Sequence, residues 1–272
     1  MSSSSPPRQR VPHPLPNIQL TTQLTPLPGL GPNLTPNLLL QFLNQKGNIL
    51  LTLSSGTPAA TSLVSLLSEL DIALPSERTG LVVDHFNHDV VSAADAHDVL
   101  LLPVPRPARD DVSDLFAAGA PADTPIAFPR GAGVLLGPGP LLTPIVRAPA
   151  TAYLYNPKEQ AEAVAADELF GAGAQLALVA GAQARNSARL AVVGSAEMLS
   201  DKWFDAKVTK VGEKKEVPTY NREFAKRIAG WAFQEIGVLR VNWVEHRLNE
   251  AVVGANVSNP EMYRIKNDVV SF

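Results

Sequence analysis

The chain has 272 residues, a formal charge of −3, 45% hydrophobic and 18% charged residues, and no cysteine. That length supplies a real core in one large or two modest domains. The mild acidity argues against a nucleic-acid binder, which needs a clustered basic surface, and the missing cysteines exclude thiolate nucleophiles, thiolate-bound zinc, iron–sulfur clusters and disulfides.

Residues 1–33 read as a disordered, Pro/Ser-rich lead-in, because nine of the 24 prolines precede residue 37 and proline removes backbone donors. The N-terminus lacks the apolar core of a secretory signal, and no apolar run reaches the roughly 18 residues of a membrane span. Thr35-Pro36 is a helix start for NLLLQFLNQK, which ends at Gly47, following the preference for an N-cap hydroxyl, proline at N1 and glycine at C′. An apolar strand over 48–53 follows, and then Ser54-Ser55-Gly56-Thr57-Pro58 leads into a second helix. A helix start after a Ser-Ser-Gly turn is a candidate anion site, but the lysine of a phosphate loop is absent and an N-cap turn explains the same residues. Leu81–Val83 is the next strand.

The segment DHFNHDVVSAADAHD, 84–98, carries His85, His88 and His97 among four aspartates. Sequence proximity alone does not make ligands converge, so this is a strand end and polar loop, with no metal site assigned. A strand near 96–104, a short helix over 110–118 and a glycine-turned passage over 128–136 come next. GAG at 131–133 and GAGA at 171–174 lack the third glycine of a dinucleotide fingerprint, and no cofactor is assigned.

Leu176–Ala180 and Leu190–Val193 are apolar strands enclosing the polar turn GAQARNSAR. This gives a rigid polar corner whose Gln183, Arg185, Asn186 and Arg189 are candidates for contacts within the chain or with a partner. Ser195, after strand and Gly194, is an N-cap candidate; Asp201 follows nearby. Trp203 and Phe204 head a charged excursion, and Asn221 is read as the cap of an amphipathic helix carrying Phe224, Ile228, Trp231 and Ala232 at core spacing. An extended VLRVNWV run, 238–244, and YRIKNDVVSF at the end are strand-like. The expected fold is therefore α/β: a mostly parallel sheet flanked by helices over 34–237, with the truncated beginning of a β domain over 238–272.

A serine hydrolase using Ser195, with Asp201 and one of His85, His88, His97 or His246, is arithmetically possible, but G-x-S-x-G is absent. The sequons at Asn33 and Asn256 are possible glycosylation sites if the chain enters the secretory lumen.

GAQARNSARLAVVGSAEMLSD, with WAFQEIGVLRV, GPNLTPNLLLQFLNQKGNILL and LVVDHFNHD, resembles the DDOST-type (Wbp-type) subunit of oligosaccharyltransferase, over roughly residues 31–272. The resemblance implies a non-catalytic scaffold subunit in protein N-linked glycosylation at the lumenal side of the endoplasmic reticulum. It implies a domain related to glutamine-amidotransferase-like or flavodoxin-like layered folds without their nucleophile. The implied partners are the polytopic catalytic subunit, a ribophorin-II-like subunit and a small DAD-type subunit. Gln183, Arg185, Asn186 and Arg189 match the motif, with an interfacial or structural role. Against the family's signal, first strand–helix unit, C-terminal β domain and membrane anchor, this chain is expected to be a fragment.

Overall fold

The computed structural model describes residues 34–107, 114–156 and 169–238, together with the backbone of Ile18–Thr21, Arg247–Leu248 and Val270–Ser271. The chain divides into two compact units, Met1–Ile236 and Gly237–Phe272.

The first unit opens on β1 (Ile18–Thr21), α1 (Pro36–Asn44), β2 (Ile49–Thr52), α2 (Thr61–Glu69), β3 (Ile72–Ala73), β4 (Leu81–Val83), β5 (Val99–Leu102) and β6 (Ile126–Pro129). It continues through β7 (Val134–Leu136), β8 (Leu142–Arg147), β9 (Tyr153–Tyr155), β10 (Leu176–Gln183) and β11 (Arg189–Val193). A short α3 (Asp201–Phe204), β12 (Lys207–Val208), β13 (Val217–Pro218) and α4 (Asn221–Ala232) complete it. In the second unit β14 (Arg247–Leu248) pairs antiparallel with β15 (Val270–Ser271).

The main sheet runs β1-β2-β11-β10-β7-β3, with β8 also on β10. Among the described residues, only β1–β2 and β2–β11 pair in parallel. The neighbours of β10 (β11, β7 and β8) are antiparallel, as are β3–β7, β4–β9 and β5–β6. This overturns the expectation of a mostly parallel sheet flanked by helices. Among the described residues the main sheet is mixed and mainly antiparallel, the helices are few, and β4 leads to β5 through a loop rather than a crossover helix. The error has a physical origin. Unbroken apolar strands are usual in parallel sheets because both faces are covered, but an antiparallel strand covered on both faces reads identically.

Both faces of this sheet are covered. Ile49, Leu51, Leu190 and Val192 face Leu39, Leu43, Leu63, Leu66 and Leu67 of α1 and α2. Leu50, Ala191 and Val193 belong to a second core with Phe224, Ile228 and Ala232 of α4. Alternation along β2 and β11 thus feeds two cores, as the two-residue period of a strand requires.

Local signals held at several points. Thr35 accepts the Leu38 N–H at 3.3 Å with Pro36 at the start of α1. Other readings need correction. The second helix starts at Thr61, with Ala60 at its cap and no side-chain bond there, rather than at Thr57-Pro58. Residues 114–118 of the expected short helix are turn and irregular backbone, and 110–113 lie outside the described residues. The lead-in contains a strand: Ile18–Thr21 pairs with β2, register Ile18↔Ile49. An unproline-broken IQLT can donate to a ladder where the surrounding prolines cannot. The strand-like run 238–244 is described only at Val238, and of the C-terminal segment only Val270–Ser271.

Candidate functional site

The β10–β11 hairpin carries the motif. Ala184 donates its N–H to the Ala188 carbonyl at 2.8 Å, and Ser187 takes a positive φ of 74° inside the turn. The Asn186 side chain then does two jobs. Its Oδ1 accepts the Ala188 N–H at 3.0 Å, and its Nδ2 donates to the carbonyls of Leu43 (2.8 Å) and Asn44 (3.0 Å). Those carbonyls belong to the last turn of α1, where the regular i+4 helical donors run out and Leu43 takes only the Lys46 N–H from the backbone, at 3.0 Å. Asn186 therefore closes α1 from across the sheet.

Arg189 does the same for α4. It is 3% exposed, and one guanidinium nitrogen donates to the carbonyls of Trp231 (2.7 Å) and Ile236 (2.9 Å). The charge also lies 5.0 Å from the centroid of the Trp231 ring. A cation at the carbonyl end of a helix is favoured by the helix dipole. Burial pushes the guanidinium below its ordinary value, yet arginine remains charged in proteins. The indole fits because residue 181 is glycine: a Cβ there would stand 2.7 Å from the Trp231 ring.

Two residues that sequence reasoning missed complete the corner. Buried Asn48 accepts, on Oδ1, the Arg189 N–H at 3.0 Å and the Gln234 side-chain amide at 2.9 Å; Gln234 also donates to the Ser187 carbonyl at 2.7 Å. The hairpin, β2 and the end of α4 are thus joined through amides. The signal was thin: an asparagine opening an apolar strand after Gly47.

The motif's other two members are turned outward. Gln183 and Arg185 are exposed, and Arg185 borders an apolar groove of about 340 Å³.

Ser195 is 1% exposed, donates to the Pro129 carbonyl at 2.5 Å and accepts the Met198 N–H at 3.2 Å. Its hydroxyl proton is held by a backbone carbonyl and its lone pair takes an N–H inside the 3₁₀ turn Glu197–Leu199, whose cap residue is Ala196 rather than Ser195. Asp201 is exposed at the first position of α3, and His246 lies outside the described residues. Gly194 sits at a close crossing of backbones, where a Cβ would be 2.0 Å from the Ala132 carbonyl oxygen.

Next to Ser195 lies an ion pair that the sequence did not announce. Glu197 receives Arg130 through both carboxylate oxygens, one of them from Nε at 2.9 Å, and the Trp203 indole N–H at 3.0 Å. Burial would raise the Glu197 carboxyl, but the bonds from Trp203 and Arg130 outweigh it and hold it below the ordinary value.

The 84–98 segment does converge in part. His85 and His97 face each other through Nδ1 at 3.0 Å, His85 Nε2 meets the Tyr153 hydroxyl at 3.1 Å, and the His88 ring lies edge-on to His97 at 4.4 Å. Among the described residues, no group of three or more His, Asp or Glu is arranged to hold a metal ion. Asp84 is fully buried. Its carboxylate accepts the N–H groups of Phe86 (2.8 Å) and Asn87 (3.1 Å), the Asn87 amide (2.9 Å) and the Thr151 hydroxyl (2.8 Å). Burial alone would raise its carboxyl; these four donors together lower it.

The anion-site candidate at residues 54–57 is closed by its own chain: Ser54 accepts the Gly56 N–H at 3.3 Å and Ser55 donates to the Arg130 carbonyl at 2.6 Å. Asn221, read as a helix cap, is fully buried instead. Its side-chain amide binds both the N–H and the carbonyl of Ala127 at 2.8 Å, so a side chain closes the ladder beside β6. Asn33 and Asn256 lie outside the described residues.

A mixed, mainly antiparallel sheet with few helices among the described residues, its polar corners closed on its own backbone, defines a domain that is not of the parallel α/β kind. Its family is visible in comparison with known proteins: OST48, N-terminal domain, matches residues 22–235. This chain belongs to that family. It is 32% identical over 248 residues to the dolichyl-diphosphooligosaccharide–protein glycosyltransferase subunit wbp1 of Schizosaccharomyces pombe, covering 89% of this chain and 50% of that protein. It is 32% identical over 244 residues to the 48 kDa subunit of the same enzyme from Caenorhabditis elegans, covering 88% and 51%. The chain thus spans about half the length of these curated relatives. A solved structure, the mmIFT52 N-terminal domain, overlaps 76% of this chain and 72% of its own at a TM-score of 0.47 and 16% identity, a likeness too loose to carry any argument.

Proposed function

We propose that this chain serves as the layered domain of an accessory, non-catalytic subunit of the oligosaccharyltransferase complex, supporting protein N-linked glycosylation at the lumenal face of the endoplasmic reticulum. The observation that carries this reading is the family match over residues 22–235, with relatives named as subunits of that enzyme. The buried Ser195, its hydroxyl bonded to Pro129, supports a structural serine over a nucleophile. No helix among the described residues is long and apolar enough to cross a membrane. The partners proposed are the polytopic catalytic subunit, a ribophorin-II-like subunit and a DAD-type subunit.

The test is affinity purification of the tagged protein from its own cells in mild detergent. Co-purification of the catalytic subunit, with under-glycosylation of secreted glycoproteins on depletion, is the expected result. A monodisperse protein free of glycosyltransferase subunits, or an esterase activity abolished by Ser195→Ala, overturns it.

A further inference from the structure

The two arginines of the hairpin motif have opposite fates. Arg189 is buried against the end of α4. Arg185 is exposed, and no hydrogen bond or ion pair engages it among the described residues. It stands on the rim of the 340 Å³ groove, whose apolar floor includes Leu43, Leu70, Leu142 and Leu190 and whose rim also carries Glu69 and Asp71. Leu141, beside it, is 46% exposed. Two carboxylates and an unpaired guanidinium around an apolar floor form a bipolar rim, and rim charges choose the partner while the floor supplies the contact energy.

We propose that this groove docks a peptide segment of another polypeptide, one presenting apolar side chains between an acidic residue, which pairs with Arg185, and a basic residue, which meets Glu69 and Asp71. A second copy of this chain fits poorly. A two-fold contact would set two concave grooves face to face and leave both unfilled, against the close packing that stable interfaces reach. This proposal rests on the reading of the chain as a complex subunit and identifies which side of the hairpin is the contact side.

The test places a photoreactive benzoylphenylalanine at Leu141 in the tagged protein, expressed in its own cells, followed by irradiation, purification and peptide mapping. The expected adduct is a segment of a different polypeptide with apolar residues and Asp or Glu within about one helical turn. Arg185→Glu should lower its yield about fivefold, the size of one partly exposed ion pair, while Arg185→Lys keeps most of it. Glycosyltransferase subunits in the eluate together with an adduct on a second copy, on lipid or nowhere, or a yield indifferent to Arg185→Glu, overturn the groove and leave the subunit reading standing. An eluate without those subunits overturns both.

Discussion

The Arg189 guanidinium donates to the main-chain carbonyl of Trp231 at 2.7 Å and lies 5.0 Å from the centroid of that residue's ring. One side chain of a strand thereby holds both the end of a helix and the aromatic that packs that helix on the sheet.

Removing it is expected to be costly. Arg189→Ala removes a charged donor from the carbonyls of Trp231, in the last turn of α4, and Ile236, beyond it, in a part-buried place, and a loss of about 1–3 kcal/mol is expected. Arg189→Lys should recover only part of this, because an ammonium cannot reproduce a planar fork stacked on an indole. Chemical denaturation of the three proteins checks the order: wild type, then lysine, then alanine.

Asn186 and Arg185 are neighbours with different expected outcomes. Asn186→Ala opens the last turn of α1 and removes the Asx bond to Ala188; about 1–2 kcal/mol should be lost, with faster amide exchange near the α1 C-terminus. Arg185→Ala should change stability by no more than about 0.5 kcal/mol, as for an ordinary surface position. Equal melting curves for the two variants would contradict the holding role of the Asn186 side chain, which the exposed Arg185 does not share.

At the β11 exit, Gly194→Ala forces a Cβ against the Ala132 carbonyl, and overpacking of backbone is expected to cost about 3 kcal/mol or more. Ser195→Ala strands the Met198 N–H and should cost about 1–3 kcal/mol. Urea midpoints measure both, and the glycine variant should be the weaker protein.

Acid should destabilise the domain through Asp84 and Glu197. Both carboxyls lie lower in the folded chain than their ordinary values, so the unfolded chain binds protons more readily. Their contribution is complete above the unfolded carboxylate range and disappears as pH falls from about 4 through the folded values. Stability measured from pH 6 down to pH 2 should therefore fall, and Asp84→Asn should flatten that slope while lowering stability at pH 6.

The hairpin was legible because its signals are local. Apolar runs on either side of GAQARNSAR give strands, and Asn186 and Ser187 give the turn chemistry. The destinations of its side chains were not legible. Asn186 reaches carbonyls 142 and 143 residues away, and Arg189 reaches residues 42 and 47 positions later. Nor did the sequence announce Asn48 and Gln234 as partners, or Arg130, Trp203 and Glu197 as one cluster. Each is an ordinary polar or aromatic residue until the fold sets it beside the others.

What the sequence by itself determined is local: α1 with its Thr35-Pro36 start, the strands β2, β4, β10 and β11, the amphipathic α4, and a motif specific enough to mark the family. Strand direction, and the division of one arginine to the inside and the other to the outside, were decided only by tertiary structure. An apolar strand covered on both faces has the same composition whichever way its neighbour runs. The fate of an arginine depends on which carbonyls arrive within about 3 Å of it.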